Sequence, residues 1–531
     1  MKKRIEIFDT TLRDGAQAPG ISFTIRDKIK IISLLDDFGI DYIEAGNPSV
    51  NPKDAELFKL IAGLKLKKAK ICAFTSTCKP SEIADRCDSL LKTSQLATEY
   101  VSVVGKSSAL HVSSVLRTTK KENLRIITDS IKFLIARGKK VIFYAEHFFD
   151  GYLKDPDYSM LVIKTARDAG SECVVLCDTN GGTLPDTAAQ MVTSTSKVID
   201  CKIGIHCHND IGMAAASTIS AISSGAVQLH GTFLGIGERC GNTSLTTIIP
   251  TVAYKLNAQL SCAAKIPEIC DYARKIADIL NITVDNSSPY IGAYAFTHKA
   301  GMHIDAVMKN SSTFEHIDPM FVGNSRQAVI SEYSGKSTLY NRFQELSPGI
   351  EKNAPEIAST LAKIKQYEHE GYHYENADAS LDLIMLESLG KRKTFFKLKN
   401  FKLVLSEPDI QKKSNSKAAA LMKISVGNEE EITAAEGNGP VDAMDAALRK
   451  ALTRFYPSLS SMRLLDYKVR VLDSDAAAGA KVRVLIESGD SSCSWHTVGV
   501  STDIMEASWK ALIDSVEYKL SMDEGIIKSR Q

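Results

Sequence analysis

The sequence predicts an α/β chain in three parts. These are a (β/α)8 TIM barrel over residues 1–285, mostly helical linker subdomains over 286–392, and a C-terminal α/β regulatory domain with an internal repeat over 393–531. Three observations predict it. Eight short apolar runs, separated by helix-sized intervals, fill residues 5 to about 237, close to the ~250 residues such a barrel uses. The chemically unusual side chains follow those runs rather than precede them, and barrel sites gather at the C-terminal ends of the strands. Beyond residue 393, the stretch 441–448 matches 502–509 at an offset of 61.

The runs are 5–9, 42–46, 71–74, 100–104, 141–145, 173–177, 203–206 and 226–234. Between the first two, Ile25, Ile29, Ile32 and Leu35 recur with helical spacing, and Gly39 stops that helix. The seventh run, Ile203-Gly204-Ile205-His206-Cys207-His208-Asn209-Asp210, carries two histidines two residues apart. Alternate strand residues share a face, so His206 and His208 converge while Cys207 points away. They read either as polar residues at a strand end or as two ligands of one metal ion. Strand 1 closes against strand 8 in such a barrel, so Asp14 can reach His206. One rim then collects Arg13-Asp14, Glu44, Glu146, Asp178-Thr179, His206, His208 and the loop 235–242. That loop, Gly235-Ile236-Gly237-Glu238-Arg239-Cys240-Gly241-Asn242, nearly spells a dinucleotide fingerprint. The fingerprint belongs after the first strand of a β-α-β unit, so here the glycines read as a tight turn that aims Asn242 inward.

In the linker, Ala300-Gly301-Met302-His303-Ile304-Asp305 precedes a loop through Asp318-Pro319, and Ile357, Leu361 and Ile364 mark one helix face. His369-Glu370-Gly371-Tyr372-His373 spells a zinc-protease pattern. That pattern needs both histidines on one unbroken helix, and Gly371 reads as a break. Further on, 395–405 alternates apolar and basic residues like a half-exposed strand, and strand-like runs 422–426 and 482–486 precede the two repeated stretches. Helix starts are expected at Asp442 or its neighbours and at Ser501.

Composition excludes several classes. Of 531 residues, 44% are hydrophobic and 24% charged, as in a soluble globular chain with ample core. A net charge of +2 gives no reason to expect nucleic acid. The absence of a long uncharged apolar run predicts no membrane span. Met1-Lys2-Lys3-Arg4 opens like a signal peptide, but Glu6 and Asp9 interrupt the apolar stretch after it and no small-residue cleavage site appears. Eleven scattered cysteines without a C-x-x-C pair fit reduced thiols in a cytoplasmic protein.

Asp14, His206, His208 and Asn242 offer a carboxylate, two imidazoles and an amide oxygen. That mixture suits a catalytic divalent ion with open positions, and Mn²⁺, Zn²⁺ and Mg²⁺ are all compatible. Such an ion could hold an α-keto acid and polarise its ketone. Arg13 could stabilise the growing alkoxide, or simply pair with Glu44 or Glu146. Glu146 could move a proton, hold a water, or serve only the fold. Thr179 could bind a carboxylate or cap a turn. Tyr144 lies two residues before Glu146, on the same strand face, and could fill the space a branched keto acid needs.

Asp9-Thr10-Thr11-Leu12-Arg13-Asp14-Gly15-Ala16-Gln17 resembles the signature of the DRE-type TIM metallolyases. The H-x-H strand, the glycine loop and Gly301-Met302-His303-Ile304-Asp305 resemble their 2-isopropylmalate, homocitrate and citramalate synthase branch. The stretch from Thr433 to Asp442 resembles the LeuA-type dimer domain of the 2-isopropylmalate and citramalate synthases in that branch, and Ala145-Glu146-His147-Phe148-Phe149-Asp150-Gly151-Tyr152 points to its citramalate-forming members. The resemblance spans essentially the whole chain. It implies condensation of acetyl-CoA with pyruvate and water to (R)-citramalate and CoA, the first step of a threonine-independent isoleucine route. It also implies a homodimer and an end-product effector, isoleucine, at the C-terminal domain. Carried over, Asp14, His206 and His208 bind the metal, with Asn242 completing the site directly or through water. Arg13 stabilises the oxyanion, Thr179 binds the keto-acid carboxylate, and Glu146 and His303 form the catalytic pair, with His303 reaching the partner's barrel. One departure is Phe314, where relatives often carry tyrosine. The competing readings are a 2-isopropylmalate synthase using 2-oxoisovalerate and a non-catalytic amino-acid sensor.

Overall fold

A computed structural model of the chain describes residues 3–328, 336–405, 418–472 and 479–527. Met1 and Lys2 of the basic opening tetrapeptide lie outside them. The chain forms two compact units, Met1–Phe296 with Ile317–Arg326, and Thr297–His316 with Gln327–Gln531.

The first unit is a closed parallel barrel of eight strands in sequence order. They are β1 (Glu6–Asp9), β2 (Tyr42–Glu44), β3 (Lys70–Ser76), β4 (Tyr100–Lys106), β5 (Lys140–Glu146), β6 (Cys173–Asp178), β7 (Lys202–Cys207) and β8 (Gln228–Gly231). β1 closes the ring on β8 through Phe8↔His230 and Asp9↔Gly231. Each expected run holds a strand, with two systematic differences at the ends. β4, β5 and β6 carry their ladders on to Lys106, Glu146 and Asp178, because backbone pairing continues past the last apolar side chain. The eighth run overshoots, because β8 ends at Gly231 and a short helical turn over Phe233–Gly235 follows it, with Leu234 at φ 67°.

The helix Ile25–Phe38 shows how the intervals work. Thr24 and Asp27 form a reciprocal capping box, and Gly39 ends the helix at φ 96°. Its buried stripe is Lys28, Ile31, Ile32 and Leu35, while Ile25 and Ile29 are only half-buried. The stripe therefore lies slightly rotated from the apolar spacing, because it admits a lysine that has buried partners. Two apolar layers result, one between strands and helices, and one inside the ring around Phe8, Tyr42, Tyr100, Tyr144 and Val175.

In the second unit the helix Pro355–Glu370 buries Ile357 and Ile364 and half-buries Leu361. It stops at Gly371, with φ 112°, so His369 lies in the last turn of the helix and His373 past its end, which disposes of the protease pattern. Two antiparallel three-stranded sheets follow, Lys397–Leu405/Ala418–Val426/Glu429–Gly437 and Arg463–Val471/Val482–Gly489/Ser494–Ser501. Each is followed by a helix, Pro440–Thr453 and Ile504–Asp523. The repeat is real but its register is 64 residues. Thr433 Oγ1 donates to the Ala447 carbonyl at 2.9 Å, and Thr497 Oγ1 to that of Ala511 at 2.8 Å. The N-caps Gly439 and Asp503 keep the same spacing. The offset of 61 is therefore corrected, and with it the cap. Asp503 accepts from the Met505 and Glu506 amides, while Ser501 accepts from the Asp503 amide.

Candidate active site

Strand ends and the turns after them place each functional side chain. After β1, the amides of Arg13 and Asp14 both donate to the Thr10 carbonyl, at 3.0 and 2.8 Å. The Thr11 hydroxyl donates to Asp9 and accepts from the Phe233 amide, which locks this turn to the loop after β8. Lys28 braces it from behind. Its Nζ donates to the carbonyls of Leu12 and Ala45, at 3.0 and 3.2 Å, and pairs with buried Asp54 at 2.6 Å.

His206 is the penultimate residue of β7 and His208 lies just past its end, both buried, with Cys207 between them packed into the layer between strands and helices. The glycine loop turns tightly at Gly241, with φ 84°, and the Asn242 amide donates to the Gly235 carbonyl at 3.0 Å. This brings Asn242 Nδ2 to 3.2 Å from His206 Nε2. The absence of a side chain at Gly237 matters, since a Cβ there would stand 2.0 Å from Asn242 Oδ1.

One ligand atom from each of Asp14, His206 and His208 lies within 4.8 Å of the others. Asp14 Oδ2 and Asn242 Oδ1 are buried without hydrogen-bond partners, an arrangement folded proteins rarely leave uncompensated and a cation would resolve. Burial, with His208 and Arg13 nearby, lowers the His206 pKa well below the ordinary histidine value, and burial lowers that of His208 too. Both imidazoles are thus neutral lone-pair donors at pH 7. The donor set fits a catalytic divalent ion.

Arg13 stands beside this cluster. Burial opposes its charge, but the Asp14 and Glu44 carboxylates outweigh that and hold it protonated. Its Nε donates to Glu44 Oε2 at 2.5 Å, Nη1 pairs with Asp14, and the guanidinium lies 4.4 Å from the Phe74 ring centre. Glu44 is fully buried and also accepts from Ser102 Oγ and, at 2.9 Å, from Tyr144 Oη. Burial pushes the Glu44 carboxyl upward and Arg13 opposes the shift.

A cleft of about 560 Å³ opens over these groups, walled by Arg13, Asp14, Phe74, Val104, Tyr144, Glu146, Cys177, Thr179, His206 and His208. Of Arg13's two expected carboxylate partners, Glu44 is taken. Glu146 pairs with Lys106 instead. Tyr144 and Glu146 share the cleft face. Thr179 fastens turns, its hydroxyl accepting from the His147 amide at 2.9 Å and its carbonyl from Arg239 at 2.8 Å, while still lining the cleft. Asn242 lines a neighbouring cleft. His303 lies in the second unit, on the helix Gly301–Lys309, its ring stacked on Phe314 at 4.1 Å. Sequence reasoning missed Ser102, Lys106, Phe74, Val104 and Cys177. The available signal was the period-two face of β4, where Ser102, Val104 and Lys106 follow one another.

Residues 4–276 match the model of the HMGL-like family. Residues 290–371 match that of the homocitrate synthase post-HMGL domain, and 375–520 that of the LeuA allosteric (dimerisation) domain. Over 525 residues the chain is 43% identical to an (R)-citramalate synthase of Aquifex aeolicus, covering 99% of each protein. The chain belongs to the HMGL-like family, on its (R)-citramalate synthase branch. An (R)-citramalate synthase of Geobacter sulfurreducens is 42% identical, again over 99% of each. A probable 2-isopropylmalate synthase of Methanopyrus kandleri is 30% identical over 97% of this chain and 98% of its own, so the similarity runs end to end on both sides but is stronger to the former. Among the described residues no helix is long and apolar enough to cross a membrane, and all 11 cysteines are free.

Proposed function

We propose that this chain condenses acetyl-CoA with pyruvate and water to give (R)-citramalate and CoA. The observation that carries the reading is full-length similarity at 43% identity to an (R)-citramalate synthase. The barrel mouth supports it with a donor set suited to a divalent ion, beside an arginine whose charge is held by two carboxylates. Asp14, His206 and His208 would hold that ion, with Asn242 beside them, and the ion supplies Lewis acidity toward the keto acid's ketone. Mn²⁺ is the first choice for trial, with Zn²⁺ and Mg²⁺ as alternatives.

The chain's own residues do the rest. Arg13, fixed by Glu44 and Asp14, offers its remaining N–H groups to the oxygen that gains charge as the new C–C bond forms. Thr179 sits at the cleft wall to receive the keto-acid carboxylate. Tyr144, Phe74 and Val104 leave room for a methyl and crowd a branched chain. Glu146 and His303 share the proton transfers that remove a methyl proton from acetyl-CoA and protonate the alkoxide, with His303 supplied by a second subunit. Hydrolysis of the thioester then releases CoA and leaves the second carboxylate. With phenylalanine at 314, no hydroxyl assists His303 from that position, so its ring is oriented by stacking.

The C-terminal match, to an allosteric (dimerisation) domain, supports a regulated homodimer. Isoleucine is the effector this reading assigns to it, and the cytoplasm the place where the enzyme works. Chiral analysis of the product from acetyl-CoA and pyruvate tests the reading. The expected result is (R)-citramalate, formed in proportion to CoA, abolished in Asp14→Asn and suppressed by isoleucine more than by leucine. A product absent from the wild type, or of opposite hand, contradicts it.

A further inference from the structure

Behind the cleft wall stands a histidine to which the reaction gives no role. His230 lies on β8, is fully buried, and is set behind the residues that line the cleft. Its ring stacks on Phe8, centroids 4.2 Å apart and planes 2° from parallel. It meets Tyr144 edge-on at 5.2 Å. Phe8 reaches the same tyrosine ring at 6.3 Å. The imidazole is pinned against rotation. Its Nε2 is 2.9 Å from Gln228 Oε1, the Gln228 amide donates to Glu6 at 3.1 Å, and Glu6 pairs with Lys202 at 2.8 Å. An ionised carboxylate only accepts, so Gln228 must turn its NH2 to Glu6 and its oxygen to His230. The proton on Nε2, and with it the ring's orientation, is thereby fixed from the barrel floor.

We propose that His230 is a positioning residue for keto-acid selectivity, a rigid stop that prevents the Tyr144 ring from retreating. The inference rests on the reading of the cleft as a pyruvate site. Tyr144 is tethered to Glu44 at its hydroxyl, and its ring meets Phe74 at 6.1 Å and His206 at 5.9 Å. His230 itself meets the His206 ring edge-on at 5.7 Å. Against retreat into the barrel the tyrosine ring has only His230 and Phe8 among these neighbours. Exchanging the imidazole for a methyl group leaves a hole against that ring, and neighbours partly collapse into such holes. A tyrosine that moves back lengthens the acceptor pocket on the cleft side by about one methylene, the increment that separates 2-oxobutanoate from pyruvate. Pocket discrimination of that size is worth about tenfold or more.

The test compares kcat/KM for pyruvate and 2-oxobutanoate in the metal-loaded, full-length wild type and its variants. His230→Ala should raise the 2-oxobutanoate-to-pyruvate ratio about tenfold. His230→Phe keeps the bulk and should leave the ratio within about twofold. A merely structural histidine would lower both acids alike in His230→Ala, and that unchanged ratio would overturn the proposal. Equal shifts in the alanine and phenylalanine variants would also overturn it, because the Gln228 hydrogen bond, and not the bulk, would then matter. If His230→Ala does not fold, His230→Asn retains a donor for Gln228 and a partial hole. It should give a smaller rise, and no rise refutes the idea. A wild type that prefers 2-oxoisovalerate would count against the pyruvate reading alone, since the change between variant and wild type still decides this one.

Discussion

Replacing Glu44 by glutamine removes one charge from a carboxylate that three donors share. Glu44 is fully buried and accepts from Arg13 Nε, Ser102 Oγ and Tyr144 Oη. The amide keeps the shape but has one acceptor oxygen, and its NH2 must face a group that now donates. Leaving a buried charge wholly unpaired costs about 3–5 kcal/mol. Arg13 keeps Asp14, and the two hydroxyls can reverse, so the loss should be smaller, about 2–3 kcal/mol. Urea unfolding at saturating Mn²⁺ measures it. The same change frees the guanidinium from its aim, so kcat/KM should fall on the order of 10²-fold, mainly through kcat. A variant within about 0.5 kcal/mol of wild type and within about threefold in kcat/KM would refute the claim that Glu44 holds Arg13 in place.

Three further outcomes are expected. Gly237→Ala would drive a Cβ to 2.0 Å from Asn242 Oδ1 and should weaken metal affinity about 10- to 100-fold in a competitive chelator titration. Unchanged affinity would remove Asn242 from the site. In the metal-free protein, His206, His208 and His230 all have pKa values lowered by burial. Below the unfolded value of 6.5 the unfolded chain takes up protons that the folded chain refuses. Stability from these groups is therefore complete above pH 6.5 and lost as pH falls toward the folded values, at about 1.4 kcal/mol per pH unit for each histidine. Urea midpoints between pH 7.5 and 5 should show a shallower slope in His206→Gln, and equal slopes would contradict the account. Gly371→Ala puts a Cβ at φ 112° and 2.4 Å from Leu472 Cδ1, and should cost about 2 kcal/mol of thermal or urea stability.

How much of this could be read from sequence depended on whether the signal was local. Period-two alternation predicted that His206 and His208 converge with Cys207 turned away, and barrel closure predicted that Asp14 would meet them. Both are consequences of backbone geometry alone. The partners of the charged residues are not. Arg13 had two carboxylates in reach by topology, and only packing decided that Glu44 takes it while Lys106 takes Glu146. Lys106 is invisible for a simpler reason, since the apolar run ends at Val104 while β4 runs on to Lys106. Thr179 shows the same limit, because its amide donor and the arginine on its carbonyl come from His147 and Arg239, far apart in the chain. The repeat slipped by three residues because a shift of nearly one helical turn preserves the apolar face, and only hydrogen bonds and caps fixed the register at 64.

The most direct test of the central claim is CoA release from acetyl-CoA with pyruvate and with 2-oxoisovalerate, after chelation and again after Mn²⁺ is restored. The account predicts negligible turnover in chelator and, with metal, a kcat/KM for pyruvate about tenfold or more above that for 2-oxoisovalerate. A preference for 2-oxoisovalerate would contradict the assigned acceptor, and no turnover with either acid under any divalent ion would contradict the enzyme itself.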